Sequence, residues 1–228
     1  MNDASSDDLK TQLLNAAEMH VPFDGWSDAT FSAAVSDCDA DPFMAQALFP
    51  RGAFDLAVES HRRGDAEMLR QLASTDLSTL KIREKITHAV RLRLSTCGDR
   101  DVVRRGTTLF ALPQYASTGA ELIWGTADAI WTAIGDTSDD FNWYTKRFTL
   151  SGVYGATVLY WLGDDSDDGQ ATWAFLDRRI EDVMQFEKVK AQFRQSPFGR
   201  AMSGPLKHLS QIRAPSPDSR MPGRWNKG

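Results

Sequence analysis

The chain contains few of the residues that build disulfide frameworks or metal centres. Cys38 and Cys97 are the two cysteines among 228 residues, and there are four histidines. Two cysteines cannot form a framework of several disulfides, so the sequence fits a reduced compartment. We expect both cysteines to be small buried hydrophobic residues.

No catalytic pattern is found in the sequence either. A di-iron bundle needs repeated Glu-x-x-His pairs with further glutamates, which the scattered His20, His61, His88 and His208 do not supply. Glu84 and His88 lie four residues apart on a predicted helix and are expected to form an exposed pair. Phosphate loops, dinucleotide fingerprints and nucleophile elbows are also missing. We therefore predict no catalytic residue, no metal site, no cofactor and no enzymatic activity.

Long hydrophobic runs and targeting signals are missing too. The longest uncharged run, residues 148–163, has 16 residues and contains Ser, Thr and Gly. A membrane-spanning helix needs about 20 apolar residues, so we predict a buried helix here. Residues 1–8 are acidic, without the apolar stretch of a secretory signal or the arginines of a mitochondrial presequence. We expect a bacterial cytoplasmic protein, peripheral at the inner membrane, or the processed form of a protein on the matrix side of mitochondria.

Every long segment has the periodicity of a helix, and none shows sustained strand alternation. Proline, glycine and capping residues divide the chain into about nine helices, and the fold class is predicted as all-α. The predicted helices cover approximately residues 7–20, 28–37, 42–50, 52–73, 78–97, 99–112, 114–134 and 139–162, with a ninth that carries Trp173, Leu176, Ile180, Val183 and Met184.

Charge is distributed unevenly along the chain. From residue 188 onward there are nine Lys/Arg and one acid, a net charge of +8, and because the whole chain carries −5, residues 1–187 carry −13. A basic tail on an acidic body suggests a nucleic acid or an anionic membrane as its partner. The tail also has apolar residues at helical spacing, which favours an interfacial membrane helix over a disordered basic tail. The predicted membrane-contacting residues are Phe198, Arg200, Met202, Leu206, Lys207, Leu209, Ile212 and Arg213.

The eighth predicted helix starts with an unusual group of aromatic residues. Asp139 or Asp140 can cap this helix by accepting backbone N–H bonds. Trp143 and Tyr144 follow, and adjacent helical residues point about 100° apart, so both rings cannot face one narrow core stripe. The pattern allows either a thick core helix or a surface for a partner or ligand.

Helices seven and eight alternate aromatic residues with small ones. The small residues allow either close packing of the two helices or an apolar pocket between them, and packing is favoured by the pattern alone. The residues that would line such a pocket are Ile123, Ala127, Ile130, Trp131, Phe148, Ser151, Gly152, Gly155 and Leu159.

Three segments resemble the ubiquinone-biosynthesis accessory family known as the ninth Coq protein. The most specific is Asp140-Phe141-Asn142-Trp143-Tyr144-Thr145, and residues 13–26 and 172–180 support it. The resemblance covers residues 9 to 190 approximately. It implies a fold similar to TetR-type regulators, lipid binding, membrane association and assistance to a di-iron hydroxylase.

This resemblance favours the pocket between helices seven and eight, with a bound isoprenoid or phospholipid as ligand. It also implies that the hydroxylase binds a patch formed by Asp140, Asn142, Trp143, Tyr144 and Arg147. We expect at least one of the two adjacent rings to be substantially exposed there. Analogy with TetR-like proteins, which usually dimerise through late helices, implies a homodimer.

Residues 1–50 would form a helix-turn-helix-like head, followed by a lipid-binding body at 51–195 and the tail at 196–228. Between residues 9 and 64 there are four Lys/Arg and eight Asp/Glu, so phosphate would be repelled and we expect no nucleic-acid partner. The predicted function is presentation of a polyprenylated quinone to the di-iron demethoxyubiquinone hydroxylase. The alternative is a TetR-like transcription regulator with an apolar effector pocket.

Overall fold

A computed structural model describes residues 3–195 and 213–214 of the chain. These residues form nine α-helices and one short 3-10 helix, with no strand among them, which confirms the predicted all-α class. The α-helices are α1 Asp3–Asp24, α2 Asp28–Asp37, α3 Pro42–Leu48, α4 Ala53–Ala73, α5 Ile82–Ser95, α6 Arg100–Phe110, α7 Ala116–Ala133, α8 Phe141–Leu162 and α9 Gln170–Gln195, and the 3-10 helix is Asp167–Gly169.

Side-chain caps fix the start of four helices. The side chains of Ser27, Asp41, Asp99 and Asp140 each accept a hydrogen bond from a backbone N–H in the first turn of α2, α3, α6 and α8. Such a cap satisfies a donor that has no partner inside the helix. The predicted starts of these helices are therefore confirmed.

Two of the helix boundaries that differ from the sequence prediction have a clear local cause. We expected α1 to stop before Pro22, but it continues to Asp24 and ends at Gly25, which has a φ of +68°. A proline so close to the end disturbs little of the helix, and Gly25 adopts the left-handed conformation readily. We expected Ser78 to open α5, but Asp76 accepts the Ser78 N–H and turns the chain, so α5 begins at Ile82.

One compact unit contains residues 1–67 and 95–122. In it, α1 packs against α2, α3 and α6. Phe49 and Leu56 share one core cluster, so the unit continues past residue 50, where we placed the end of the head. The cluster consists of Leu13, Leu14, Ala17, Ala34, Val35, Ala45, Phe49 and Leu56.

The second compact unit contains residues 68–94 and 123–228. Within it α8 packs along α9, and the rings of Tyr160 and Phe175 stack with centroids 4.5 Å apart. Buried residues from α5, α7, α8 and α9 form its interior, among them Ala89, Val90, Ala127, Ile130, Trp143, Leu150, Val153, Leu176 and Ile180. This unit carries the predicted lipid and partner residues.

No helix in the part of the chain that the structure describes is long and apolar enough to cross a membrane.

The two cysteines are less buried than expected. Cys38 and Cys97 are half-buried and not fully buried. Burial, followed by the nearby Asp37 carboxylate, raises the pKa of the Cys38 thiol. The predicted membrane-contacting residues from Phe198 to Ile212 lie outside the described residues.

Candidate lipid and partner surface on helices α7 and α8

The N-terminus of α8 presents polar groups around its cap. Asp140 accepts the backbone N–H of Asn142 at 2.9 Å, and the Asn142 side-chain amide donates to the same carboxylate at 3.0 Å. Asn142 is exposed and Asp140 is half-buried. Both residues are accessible at the helix end, as a partner surface requires.

Trp143 lies inside the body. Its side chain is 1% exposed and packs against Trp124 and Tyr144, with ring centroids 6.0 Å and 4.8 Å away. The Arg147 guanidinium lies 4.0 Å from the centroid of the Trp143 ring, which is a cation–π contact. Trp143 therefore fills the interior beneath the helix start.

Arg147 is the centre of a buried ionic network. Its side chain is 2% exposed, its Nε donates to Asp128 at 2.5 Å and its Nη1 donates to Asp136 at 3.1 Å. Lys146 donates to Asp136 at 2.7 Å as well. A buried charge is tolerated only when it is paired and hydrogen-bonded, so Arg147 needs both acids. Because Asp128 lies on α7 and Asp136 in the following loop, the network links these two segments to α8.

The environment of Asp136 favours its charged form. Burial alone would raise the pKa of this carboxyl group, but hydrogen bonds from Lys146, Ser138 and Arg147 outweigh burial and hold the pKa below its ordinary value. Asp136 therefore remains an anion that can pair with both basic side chains.

Two of the predicted partner-contact residues need correction. Trp143 and Arg147 have buried side chains, so a partner cannot touch them in this structure. Tyr144 is half-buried, so neither adjacent ring is substantially exposed and that expectation was wrong. The Trp143 ring is enclosed because the half-buried Trp124 packs against it and the buried Arg147 guanidinium lies over it. The assignment of Asp140, Asn142 and Tyr144 to partner binding stays a prediction.

A short piece of the C-terminal tail lies against the start of α8. The backbone N–H of Ala214 donates to the Asp139 carbonyl at 2.8 Å, and Arg213 pairs with the Asp139 carboxylate at 3.1 Å. The Tyr144 hydroxyl lies 3.5 Å from the Arg213 carbonyl oxygen. Arg213, which we assigned to membrane contact, is thus held beside the predicted partner surface.

The nine predicted lipid-binding residues fall into two groups. Ala127 and Ile130 on α7 are fully buried, and Ile123 lies 3.8 Å from the position of a Cβ on Gly155, so this group packs α7 against α8. The Trp131 indole N–H donates to the Lys146 carbonyl and belongs to the same contact. Ser151 is half-buried.

The second group forms an exposed apolar stripe on α8, defined by Phe148, Gly152 and Leu159. The Phe148 and Leu159 side chains are 75% and 61% exposed, and a Cβ on Gly152 would meet no neighbouring atom within 4 Å. Spacings of four and seven residues place all three on one side of the helix. Gly155 lies at the border between the stripe and the packed group.

Sequence reasoning missed the two acids that partner Arg147. Asp128 is the one charged residue between Glu121 and Asp136, in an otherwise apolar helix. An acid that is buried in such a helix is almost always paired with a base, and this signal could have pointed to the network.

The predicted exposed pair of Glu84 and His88 is also wrong. Glu84 accepts the backbone N–H of Lys81 at 2.7 Å, while the His88 Nε2 atom is buried and has no hydrogen-bond partner. Glu84 accepts this hydrogen bond because the backbone N–H groups at the start of a helix have no acceptor within the helix. No group of three His, Cys, Asp or Glu residues among those described could hold a metal ion.

The architecture is that of a TetR-like helical protein. A TetR transcriptional regulator from Nitrosomonas europaea superimposes with a TM-score of 0.66 over 78% of this chain and 99% of its own, at 18% sequence identity. At this identity the similarity defines the fold alone. The predicted TetR-like fold is confirmed.

Within this class of fold, residues 116–187 match the COQ9 family model, which confirms the family resemblance. This match spans α7, α8 and most of α9, and so covers both the buried ionic network and the apolar stripe. Residues 116–187 of this TetR-like fold are therefore similar to the COQ9 family.

Three relatives extend the similarity beyond that region. The mitochondrial ubiquinone biosynthesis protein COQ9 of Drosophila melanogaster is 29% identical over 83% of this chain and 59% of its own length. The probable coq9 protein of Dictyostelium discoideum is 29% identical over 80% and 62%, and human COQ9 is 26% identical over 84% and 63%. The chain thus spans less than two thirds of the length of these relatives. All three are named as mitochondrial, so the predicted bacterial cytoplasm finds no support among them.

Proposed function

We propose that the protein is a lipid-binding accessory factor of ubiquinone biosynthesis. It holds a polyprenylated quinone intermediate and presents it to the di-iron demethoxyubiquinone hydroxylase, which performs the chemistry. The names of the relatives support the pathway, and the surface of α8 supports the lipid. We assign no reaction to the chain itself.

The observation that carries this proposal is the apolar stripe on α8. Burial of one large apolar side chain is worth about 1.5–3 kcal/mol, so leaving both Phe148 and Leu159 in water is unfavourable. Eleven residues of helix separate them, which corresponds to about 16 Å of surface length. A linear isoprenoid chain that lay along the stripe would cover both side chains, with Gly152 leaving room between them.

The position of the stripe relative to the helix start favours presentation to a partner. Tyr144 and Phe148 lie four residues apart, so the stripe continues from the predicted partner surface along the same side of α8. The buried Arg147 network fixes the helix end that carries Asp140, Asn142 and Tyr144. A lipid on the stripe would therefore reach the edge of the hydroxylase contact.

Two further parts of the proposal concern assembly. We propose that the basic, apolar tail contacts an anionic membrane, from which the lipid is taken, and that two copies of the chain form a homodimer. Charge and residue spacing support the first and analogy with TetR-like proteins supports the second.

Lipid analysis of the purified protein tests the central proposal. We expect native mass spectrometry and organic extraction to reveal a bound isoprenoid quinone or phospholipid. A double Phe148→Gln, Leu159→Gln variant should lose it while melting at an unchanged temperature, because both side chains are exposed. Phe43→Gln is the matched control, since Phe43 on α3 is 87% exposed and lies in the other compact unit. Lipid retained by the folded double variant would overturn the proposal for this surface.

Affinity for the hydroxylase tests presentation separately. An Asn142→Ala, Tyr144→Ala variant should bind the hydroxylase at least about 30-fold more weakly, the effect of one anchor residue, and should still retain lipid. Unchanged affinity would remove the partner surface from the start of α8.

A further inference from the structure

A cleft with several charged side chains in its lining lies between α5 and α9, within one compact unit and away from the apolar stripe. Its volume is about 600 Å³, within the range of small-molecule sites. The charged side chains that line it are Arg83, Glu84, Arg91, Asp177, Arg178 and Glu181, and His88 contributes to the lining as well.

The three acids of the cleft are already occupied. Glu181 pairs with Arg83 at 3.4 Å, and Asp177 pairs with Arg91 at 3.5 Å, both across the gap between the helices. Glu84 accepts the Lys81 backbone N–H. The acids therefore have little remaining capacity to hold a cation.

Two buried nitrogen atoms of the cleft have no hydrogen-bond partner. The His88 Nε2 and Arg91 Nε atoms are both buried, and neither has a hydrogen-bond partner in the described structure. They lie three residues apart on α5, so they belong to the same side of the helix. Arg178, which is exposed, adds a third positive or donor group to the lining. Buried polar atoms without a hydrogen-bond partner are rare in proteins and costly, so these two nitrogen atoms are candidates for contact with a ligand.

We propose that this cleft binds a phosphate group, carried by a small molecule or by a lipid head group. His88 Nε2–H and Arg91 Nε–H donate to its oxygens, and Arg178 supplies positive charge. An oxyanion fits because it accepts several hydrogen bonds and carries no donor that would need the occupied acids. This site is separate from the lipid stripe and does not depend on the proposed function.

The test uses the full-length protein with the histidine ring protons followed by NMR. Titration with inorganic phosphate should shift the His88 resonance in a saturable way, and dihexanoyl phosphatidic acid should do the same if a head group is accepted. A shift with inorganic phosphate as strong as that with the lipid identifies a free anion as ligand. A much stronger shift with the short-chain lipid, absent with dihexanoyl phosphatidylcholine, identifies an anionic head group. Either result supports the site.

Three variants give the test its specificity. Arg91→Lys keeps the charge but removes the Nε donor, and His88→Ala removes the other donor, so each should weaken binding at least about tenfold. Because the His88 reporter is lost in the second variant, its affinity is measured by calorimetry. Arg62→Lys on α4, an exposed arginine outside the cleft, should bind like the unchanged protein. Melting temperatures confirm that each variant is folded. The absence of saturable binding by all probes, or equal binding by all three variants, overturns the proposal.

Discussion

The role of Arg147 in the structure differs from the role that the sequence suggests. In the sequence it follows an aromatic motif and is a candidate for partner contact. In the structure it is 2% exposed, bonded to Asp128 and Asp136, and stacked on Trp143. Its contribution to a partner surface is therefore indirect, since it holds the helix end that displays Asp140 and Tyr144.

Substitution of the two adjacent aromatic residues separates core from surface. Trp143→Ala should lower the free energy of unfolding by about 3–5 kcal/mol, because it removes a fully buried ring and leaves a cavity. Tyr144→Ala, at a half-buried position, should cost about 1 kcal/mol. Urea denaturation followed by circular dichroism measures both values. Equal costs would show that the two rings share one environment.

The Asp136 carboxylate makes stability depend on pH. Its folded-state pKa lies below the value in the unfolded chain, so its stabilisation is present above the unfolded pKa of about 3.9 and is lost as the pH falls through the folded pKa. In Asp136→Asn the free energy of unfolding should be lower near pH 7, and its decline below about pH 4 should be shallower. Denaturation curves at several pH values compare the two proteins, with Asp139→Asn as the exposed control. A decline of the same steepness in Asp136→Asn would exclude Asp136 as its source.

At the scale of the element, α8 is a helix with two different long sides. Leu150, Val153, Tyr154 and Trp161 are buried, while Phe148 and Leu159 are largely exposed. A core helix in a small domain normally leaves polar residues on its outer side. The exposed apolar side of α8 is therefore not explained by packing within this chain.

The same substitution, Gly to Leu, is expected to have opposite effects on stability at Gly152 and Gly155 of α8. Gly152→Leu meets open space, so the free energy of unfolding should stay equal or rise by up to about 1 kcal/mol through better helix propensity. Gly155→Leu would press on Ile123 and should cost about 1–3 kcal/mol by overpacking. Thermal melting measures the difference, and lipid content is expected to fall in the Gly152 variant, whose leucine occupies the stripe. Full lipid content in that variant would mean that the lipid does not lie across Gly152.

The element-level prediction from sequence was good where local chemistry decides and poor where distant residues decide. Ser27 and Asp99 cap their helices through neighbours in the chain, and Pro42 lies in the first turn of α3, so the residue types alone indicated these helix starts. The burial of Arg147 depends on Asp128 and Asp136, which lie 19 and 11 residues away. Periodicity placed Ile130 and Phe148 in one proposed pocket, but only the packing of α7 against α8 shows that one is buried and the other exposed.

For the whole molecule, the strongest division lies between an acidic body and a basic tail. Deleting residues 196–228 should leave the helical body folded and abolish binding to anionic liposomes, because the charge that attracts the membrane is removed. Liposome sedimentation at low and high salt measures this, and the full chain should bind less at high salt. Salt-independent binding by the truncated protein would assign membrane contact to the body.

Arg213 and Ala214 contact Asp139 and lie beside Tyr144, so this part of the tail covers part of the predicted partner surface. If the hydroxylase binds the same surface, hydroxylase binding and tail docking are linked equilibria. Each then weakens the other by the same factor. Membrane vesicles that draw the tail away would then raise the hydroxylase affinity of the full chain, and truncation before residue 213 would raise it without vesicles. Surface plasmon resonance with and without vesicles measures both, and equal affinities throughout would show that the two do not compete. With such competition, the partner surface would become accessible mainly when a membrane binds the tail. Delivery of the lipid would then be confined to the membrane that contains it.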